Sequence, residues 1–92
     1  MSTLPSAYAV PFWVDRTDEP HVYRLVNLGD EPVRGVRVTL LGSGHLVPVD
    51  PRPLPPGRTL TLTLLAVDSR DSIAVVRWFR PDGDEYVWRF AF

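Results

Sequence analysis

The sequence predicts an all-β domain, an antiparallel β-sandwich of about seven strands. Three observations predict it. Ten prolines and six glycines punctuate the 92 residues at short intervals and leave no window for a helix of ordinary length. The runs between them alternate apolar and polar side chains with period two, and they favour Val, Leu, Thr and aromatics. Turn signals separate these runs at roughly 8–15-residue intervals, the rhythm of a sandwich or small barrel.

Each element can be justified in order. Tyr8 to Val14 reads as a first strand with Pro11 in its middle; a proline cannot donate to a ladder, so the strand belongs at a sheet edge. His21 to Leu28 is the second, closed by the turn Asn27-Leu28-Gly29-Asp30-Glu31-Pro32. Val33 to Leu41 is the third, with Val36, Val38 and Leu40 alternating against Arg37 and Thr39 until Gly42-Ser43-Gly44 ends it. A short, weak strand is expected at Leu46 to Val49. Asp50 to Gly57, with four prolines, reads as an extended polyproline-like connection ending in a turn. Thr59 to Leu65 shows the cleanest alternation, three leucines against three threonines. Ile73 to Arg80 and Glu85 to Phe92 form the last pair, joined by the hairpin signal Pro81-Asp82-Gly83-Asp84. Gly29 and Gly83 are expected at positive φ. Nothing repeats and no linker divides the chain, so residues 1–92 read as one domain.

Composition excludes several classes. Without cysteine there is no disulfide, thiol nucleophile or zinc-thiolate site. All ten basic residues are arginine, which reads as the codon bias of a GC-rich genome and which stacks on aromatics and pairs with carboxylates as lysine does not. A net charge of -1 gives no footprint for nucleic acid or an anionic membrane. No apolar run approaches the ~20 residues of a membrane helix. Ala7-Tyr8-Ala9 mimics a cleavage site but lacks the basic and apolar regions of a leader. The expected compartment is therefore the cytoplasm.

Two stretches carry a resemblance. Val26 to Val38 (VNLGDEPVRGVRV) and Leu54 to Leu64 (LPPGRTLTLTL) are similar to bacterial immunoglobulin-like modules of the cell-adhesion-related, fibronectin III-like type. The resemblance spans about Val22 to Phe90. It implies an immunoglobulin-like sandwich, an Asn/Gly-closed turn after the second strand, and a Pro-Gly opening of the strand after the crossover. Its motifs are turn chemistry and speak to fold rather than function.

Charges decide which way each strand faces. Arg37, Arg77 and Arg89 would be costly inside, so they turn outward. Val36, Val38, Leu40, Ala74, Val76, Trp78, Tyr86, Trp88 and Phe90 then point into one side of the core, with Tyr23, Leu25, Leu60, Leu62 and Leu64 opposite. The outer face of the sheet carrying the arginines also holds Val75, Phe79 and Val87. Arg37, Arg77, Phe79, Val87 and Arg89 thus form a candidate protein interface, because Arg mixed with aromatic and aliphatic groups has interface composition. The alternative is that arginine stems simply cover those apolar groups.

Other motifs are weaker. Asp82-Gly83-Asp84-Glu85 with Asp30 and Glu31 offers oxygens for calcium, but the spacing fits no calcium loop and Asp-Gly is ordinary hairpin chemistry. Arg52-Pro53-Leu54-Pro55-Pro56 is similar to the core of a ligand for SH3 domains, but Arg58 stands where the full motif has its last proline, and a stiff sandwich connection is the favoured reading. His21 and His45 have no partner with metal-ligand spacing. Ser43 has no nucleophile elbow around it. Trp13, on the kinked first strand, is expected to cap the open edge of the core; exposed beside Tyr8, it would instead suit stacking on a sugar. The expected function is a non-catalytic protein-interaction or self-association module without cofactor, and the alternative is a carbohydrate- or cell-envelope-binding accessory domain.

Overall fold

A computed structural model describes residues 8–92, so the leader-like reading at Ala7 begins outside the described residues. Eight strands appear where about seven were expected: β1 (Phe12–Asp15), β2 (Val22–Asn27), β3 (Val33–Leu41), β4 (His45–Leu46), β5 (Arg52–Leu54), β6 (Thr59–Leu65), β7 (Ile73–Phe79) and β8 (Glu85–Ala91). They form two four-stranded antiparallel sheets, in the orders β1-β2-β6-β4 and β5-β3-β7-β8. The arrangement is consistent with a sandwich, and no helix occurs among the described residues.

The extra strand lies in the proline-rich connection. After β3 the chain pairs briefly with the end of β6, His45 opposite Leu65, and then crosses to the other sheet. There Leu54 lies opposite Val33 and Arg52 opposite Val36. Proline concealed this strand, because Pro53 cannot donate to a ladder. It is tolerated because β5 is an edge, and Leu54 anchors the segment at 2% exposure. The first strand is also shorter than expected. Regular pairing starts at Phe12, although the Pro11 carbonyl still accepts from Leu28 N at 2.8 Å.

The inward set follows the alternation. Tyr23, Leu25, Leu60, Leu62, Leu64, Val36, Ala74, Val76, Trp78 and Phe90 are buried, with Val38, Leu40, Tyr86 and Trp88 packed against them. Trp78 lies at the centre. Phe12, from the opposite sheet, meets its ring edge-on with centroids 4.9 Å apart, and its indole N–H donates to the Tyr8 hydroxyl at 3.2 Å.

Asn27 is the buried polar hub. Its side-chain amide donates to the carbonyls of Leu54 (2.9 Å) and Glu31 (3.1 Å), and its oxygen accepts from Gly29 N (2.8 Å). One residue thereby closes the β2–β3 turn and fastens β5. Gly29 does not adopt the positive φ expected of it. It is glycine for space: a Cβ would stand 3.0 Å from Pro11 Cβ and 3.1 Å from the Asn27 amide oxygen. Gly83 does take positive φ, +92°. Gly83 N donates to the Arg80 carbonyl and Arg80 N to the Asp84 carbonyl, a three-residue hairpin loop with Pro81 where a type I turn favours it.

Candidate functional site

The candidate interface is built on the outer face of β3, β7 and β8. Strand register sets its rows: Arg37–Arg77–Val87, then Thr39–Val75–Arg89, with Arg34–Phe79–Glu85 beside the hairpin. Arg37, Arg77, Val87 and Arg89 are exposed, and Phe79 is half-buried. The structure brings the five sequence-selected residues onto one surface because positions 77, 79, 87 and 89 share a face by alternation. A bulge between Arg34 and Arg37 keeps Arg37 on it too. Gly35 makes that bulge at φ +58°, and the Phe79 ring lies over it: a Cβ there would come within 3.1 Å of Phe79 Cδ2.

The electrostatics of the face are unusual. Arg37 and Arg77 stand directly opposite each other, an unfavourable cross-strand pair. Among the described residues, the ion pairs are Arg24–Asp18, Arg70–Asp68 and Arg80–Glu31, so Arg37, Arg77 and Arg89 enter none. The apolar part of the face is partly covered. Val75 points outward yet is only 9% exposed, and its neighbours on that face are Thr39, Arg89, Ile73 and Arg77. The neighbouring side chains thus leave little of Val75 exposed, while Val87 stays half-exposed.

A second feature, missed in the sequence, lies at the end where β2–β3 and β7–β8 turn. A cleft of about 340 Å³ is lined by Tyr8, Pro11, Leu28, Glu31 and Arg80 among others. Arg80 grips Glu31 through Nε at 2.7 Å and Nη2 at 3.4 Å, and its guanidinium lies 3.9 Å from the Tyr8 ring centroid. Hydrogen bonding to Glu31, and then to Tyr86, holds that guanidinium still further above its already high ordinary value. The clasp occupies the arginine from two sides, so it fastens the chain entering β1 to the hairpin rather than presenting a free cation. Three residues from separate loops with no fixed spacing left nothing to read in advance.

The remaining candidates disperse. His21 and His45 are exposed. Ser43 donates to Asp71 Oδ1 at 2.8 Å, and Ser72 donates to the Ser43 carbonyl at 2.9 Å, which ties the β3–β4 and β6–β7 loops together. Gly42 permits that approach, since a Cβ there would lie 2.1 Å from the Asp71 carbonyl oxygen. Among the described residues no cluster of acidic or histidine side chains could hold a metal ion. Trp13 does not cap the core. It is 52% exposed on the outer side of β1 opposite Val26, and Phe12, its neighbour of opposite parity, takes the inward place. Tyr8 turns the other way, its ring tilted against that of Tyr86 with centroids 4.7 Å apart, so Trp13 and Tyr8 do not form one platform.

No helix among the described residues is long and apolar enough to cross a membrane. Compared with protein-family models, curated proteins and solved structures, the chain matches none.

Proposed function

We propose that this chain is an immunoglobulin-like, non-catalytic protein-interaction or assembly module of the bacterial cytoplasm, whose working surface is the outer face of β3, β7 and β8. One observation carries the reading: Arg37, Arg77 and Arg89 stand exposed without carboxylate partners, around the exposed Val87 and half-buried Phe79. Arginine and aromatic groups on a rigid sheet supply desolvating contacts and charge selectivity together. The partner it fits is a protein surface with carboxylates set among apolar groups. The cysteine-free composition supports a reducing compartment.

The test is binding of a fluorescent peptide that alternates Glu and Leu, followed by anisotropy. Arg37→Glu with Arg77→Glu should weaken it about tenfold or more, while Arg24→Glu on the opposite sheet should leave it within about twofold. Equal losses in the two variants would overturn the assignment of the face. Exposed Trp13 favours the second reading, a carbohydrate-binding accessory domain. Quenching or shift of Trp13 fluorescence by cell-wall oligosaccharides, absent in Trp13→Ala, would support that reading instead.

A further inference from the structure

The four sheet edges are not alike. β1 has four residues and follows Pro11; β4 has two; β5 has three, including Pro53. Such short or proline-bearing edges resist pairing with another chain. β8 is an edge of seven residues, Glu85 to Ala91, with no proline, glycine or bulge.

The hairpin fixes which way its backbone points. Arg80 N bonds to the Asp84 carbonyl, and antiparallel pairs alternate between bonded and unbonded. Phe79–Glu85, Arg77–Val87 and Val75–Arg89 are then the unbonded pairs, so Glu85, Val87 and Arg89 direct their N–H and C=O groups to the open edge. Ala91 has the same parity, and its carbonyl is taken by Arg16 Nη2 at 2.6 Å rather than by β7. Arg16 caps the end of the edge, and among the described residues no other strand pairs with residues 85 to 89.

We infer that the open edge of β8 pairs antiparallel with β8 of a second copy of this chain, on a two-fold axis through Val87. Charge complementarity selects both occupant and register. Centred on Val87, Glu85 of each copy stands opposite Arg89 of the other, on the same face and in bonded positions. Moving the axis to Tyr86 or Trp88 leaves both charges opposite apolar residues or the turn, and moving it to Arg89 sets arginine against arginine. The pairing joins two four-stranded sheets into one of eight strands and gives Arg89 the carboxylate it lacks within its own chain. The two arginine faces then lie side by side. This deepens the interaction reading and rests on it. An edge-to-edge strand pair is a small contact, so the dimer forms by concentration rather than permanently.

The test is light scattering and sedimentation across about ten micromolar to one millimolar, with a thermal melt to confirm that each variant is folded. The wild type should rise toward twice the chain mass. Glu85→Arg and Arg89→Glu, each alone, place like charges opposite and should weaken association about tenfold or more. The double exchange, Glu85→Arg with Arg89→Glu, should restore it. The amides of Glu85, Val87 and Arg89 should also gain exchange protection as concentration rises. A wild type that stays monomeric at the highest concentration, or a dimer indifferent to the β8 exchanges, would overturn the inference. A dimer split by Arg77→Glu but not by the β8 exchanges would overturn the edge and keep the face as an interaction surface.

Discussion

The two sheets share one core but show solvent different chemistry. On the outer face of β1, β2 and β6 stand Asp15, Arg24 and the threonines of β6, and the arginine is answered by Asp18. On the outer face of β3, β7 and β8 four arginines, Arg34, Arg37, Arg77 and Arg89, stand around Val75, Phe79 and Val87, and among the described residues none of them enters an ion pair. The first face pairs its arginine within its own chain, although Trp13 and Leu65 stand exposed on it. The second leaves its cations without carboxylate partners among the described residues, beside the half-exposed Val87. Identical strand geometry therefore yields a face with its arginine paired on one side and a face of unpaired arginines on the other.

Both faces hang on one core, and the largest expected effect tests that. Trp78→Ala should cost about 3–5 kcal/mol, because nothing in so small a core can refill the space. The loss should appear as unfolding in denaturant of both sheets at once. Separate transitions would mean that the sheets do not share a core.

Next comes the hub that holds an edge in place. Asn27→Ala strands buried groups of Leu54, Glu31 and Gly29, and should cost about 2–3 kcal/mol in chemical denaturation. Exchange of the β3 amides facing β5 should rise more than that of β7. A uniform rise would deny Asn27 its particular hold on β5.

A smaller effect sharpens the contrast of the faces. Arg24→Ala breaks an exposed ion pair and should destabilise by up to about 1 kcal/mol. Arg77→Thr relieves like charges across the strands and should be neutral or slightly stabilising. Thermal melts of the two variants, compared at low salt, should show a loss for Arg24→Ala and none for Arg77→Thr. Equal losses would mean that Arg77 is satisfied within the fold after all.

The smallest effect concerns acid. The Thr17 hydroxyl and amide hold the Asp15 carboxyl below its ordinary 3.8, and Arg70 holds that of Asp68 below the same value. A carboxylate with a lowered folded pKa adds stability that is present above its unfolded pKa and lost as pH falls through the folded one. The melting temperature should thus decline slightly below about pH 4, and less so in Asp15→Asn with Asp68→Asn. Asp15 ends β1 and Asp68 lies between β6 and β7, neither on the arginine face, so peptide binding there should follow the peptide's own carboxylates instead.

How much of this was legible follows from what alternation can carry. Leu60, Leu62 and Leu64 against three threonines, and Trp78 between Arg77 and Phe79, left one sensible orientation for each strand, and the candidate face followed from it. β5 was hidden because its prolines read as a connection, and only the burial of Leu54 beside Val33 reveals a strand. Gly29 was misread because a turn glycine suggests positive φ, whereas here packing against Pro11 and Asn27 demands it. Trp13 was misplaced by its size, although parity with Phe12 decided the matter. The Arg80–Glu31–Tyr8 clasp joins residues distant in sequence and had no local signal.

The most direct test of the central claim is amide chemical-shift mapping while the alternating Glu/Leu peptide is titrated into the labelled chain. The shifts should concentrate on Arg37, Arg77, Phe79, Val87 and Arg89 and spare Arg24, Thr61 and Trp13. Shifts spread evenly over both faces, or gathered at the β1–β2 face, would contradict the account.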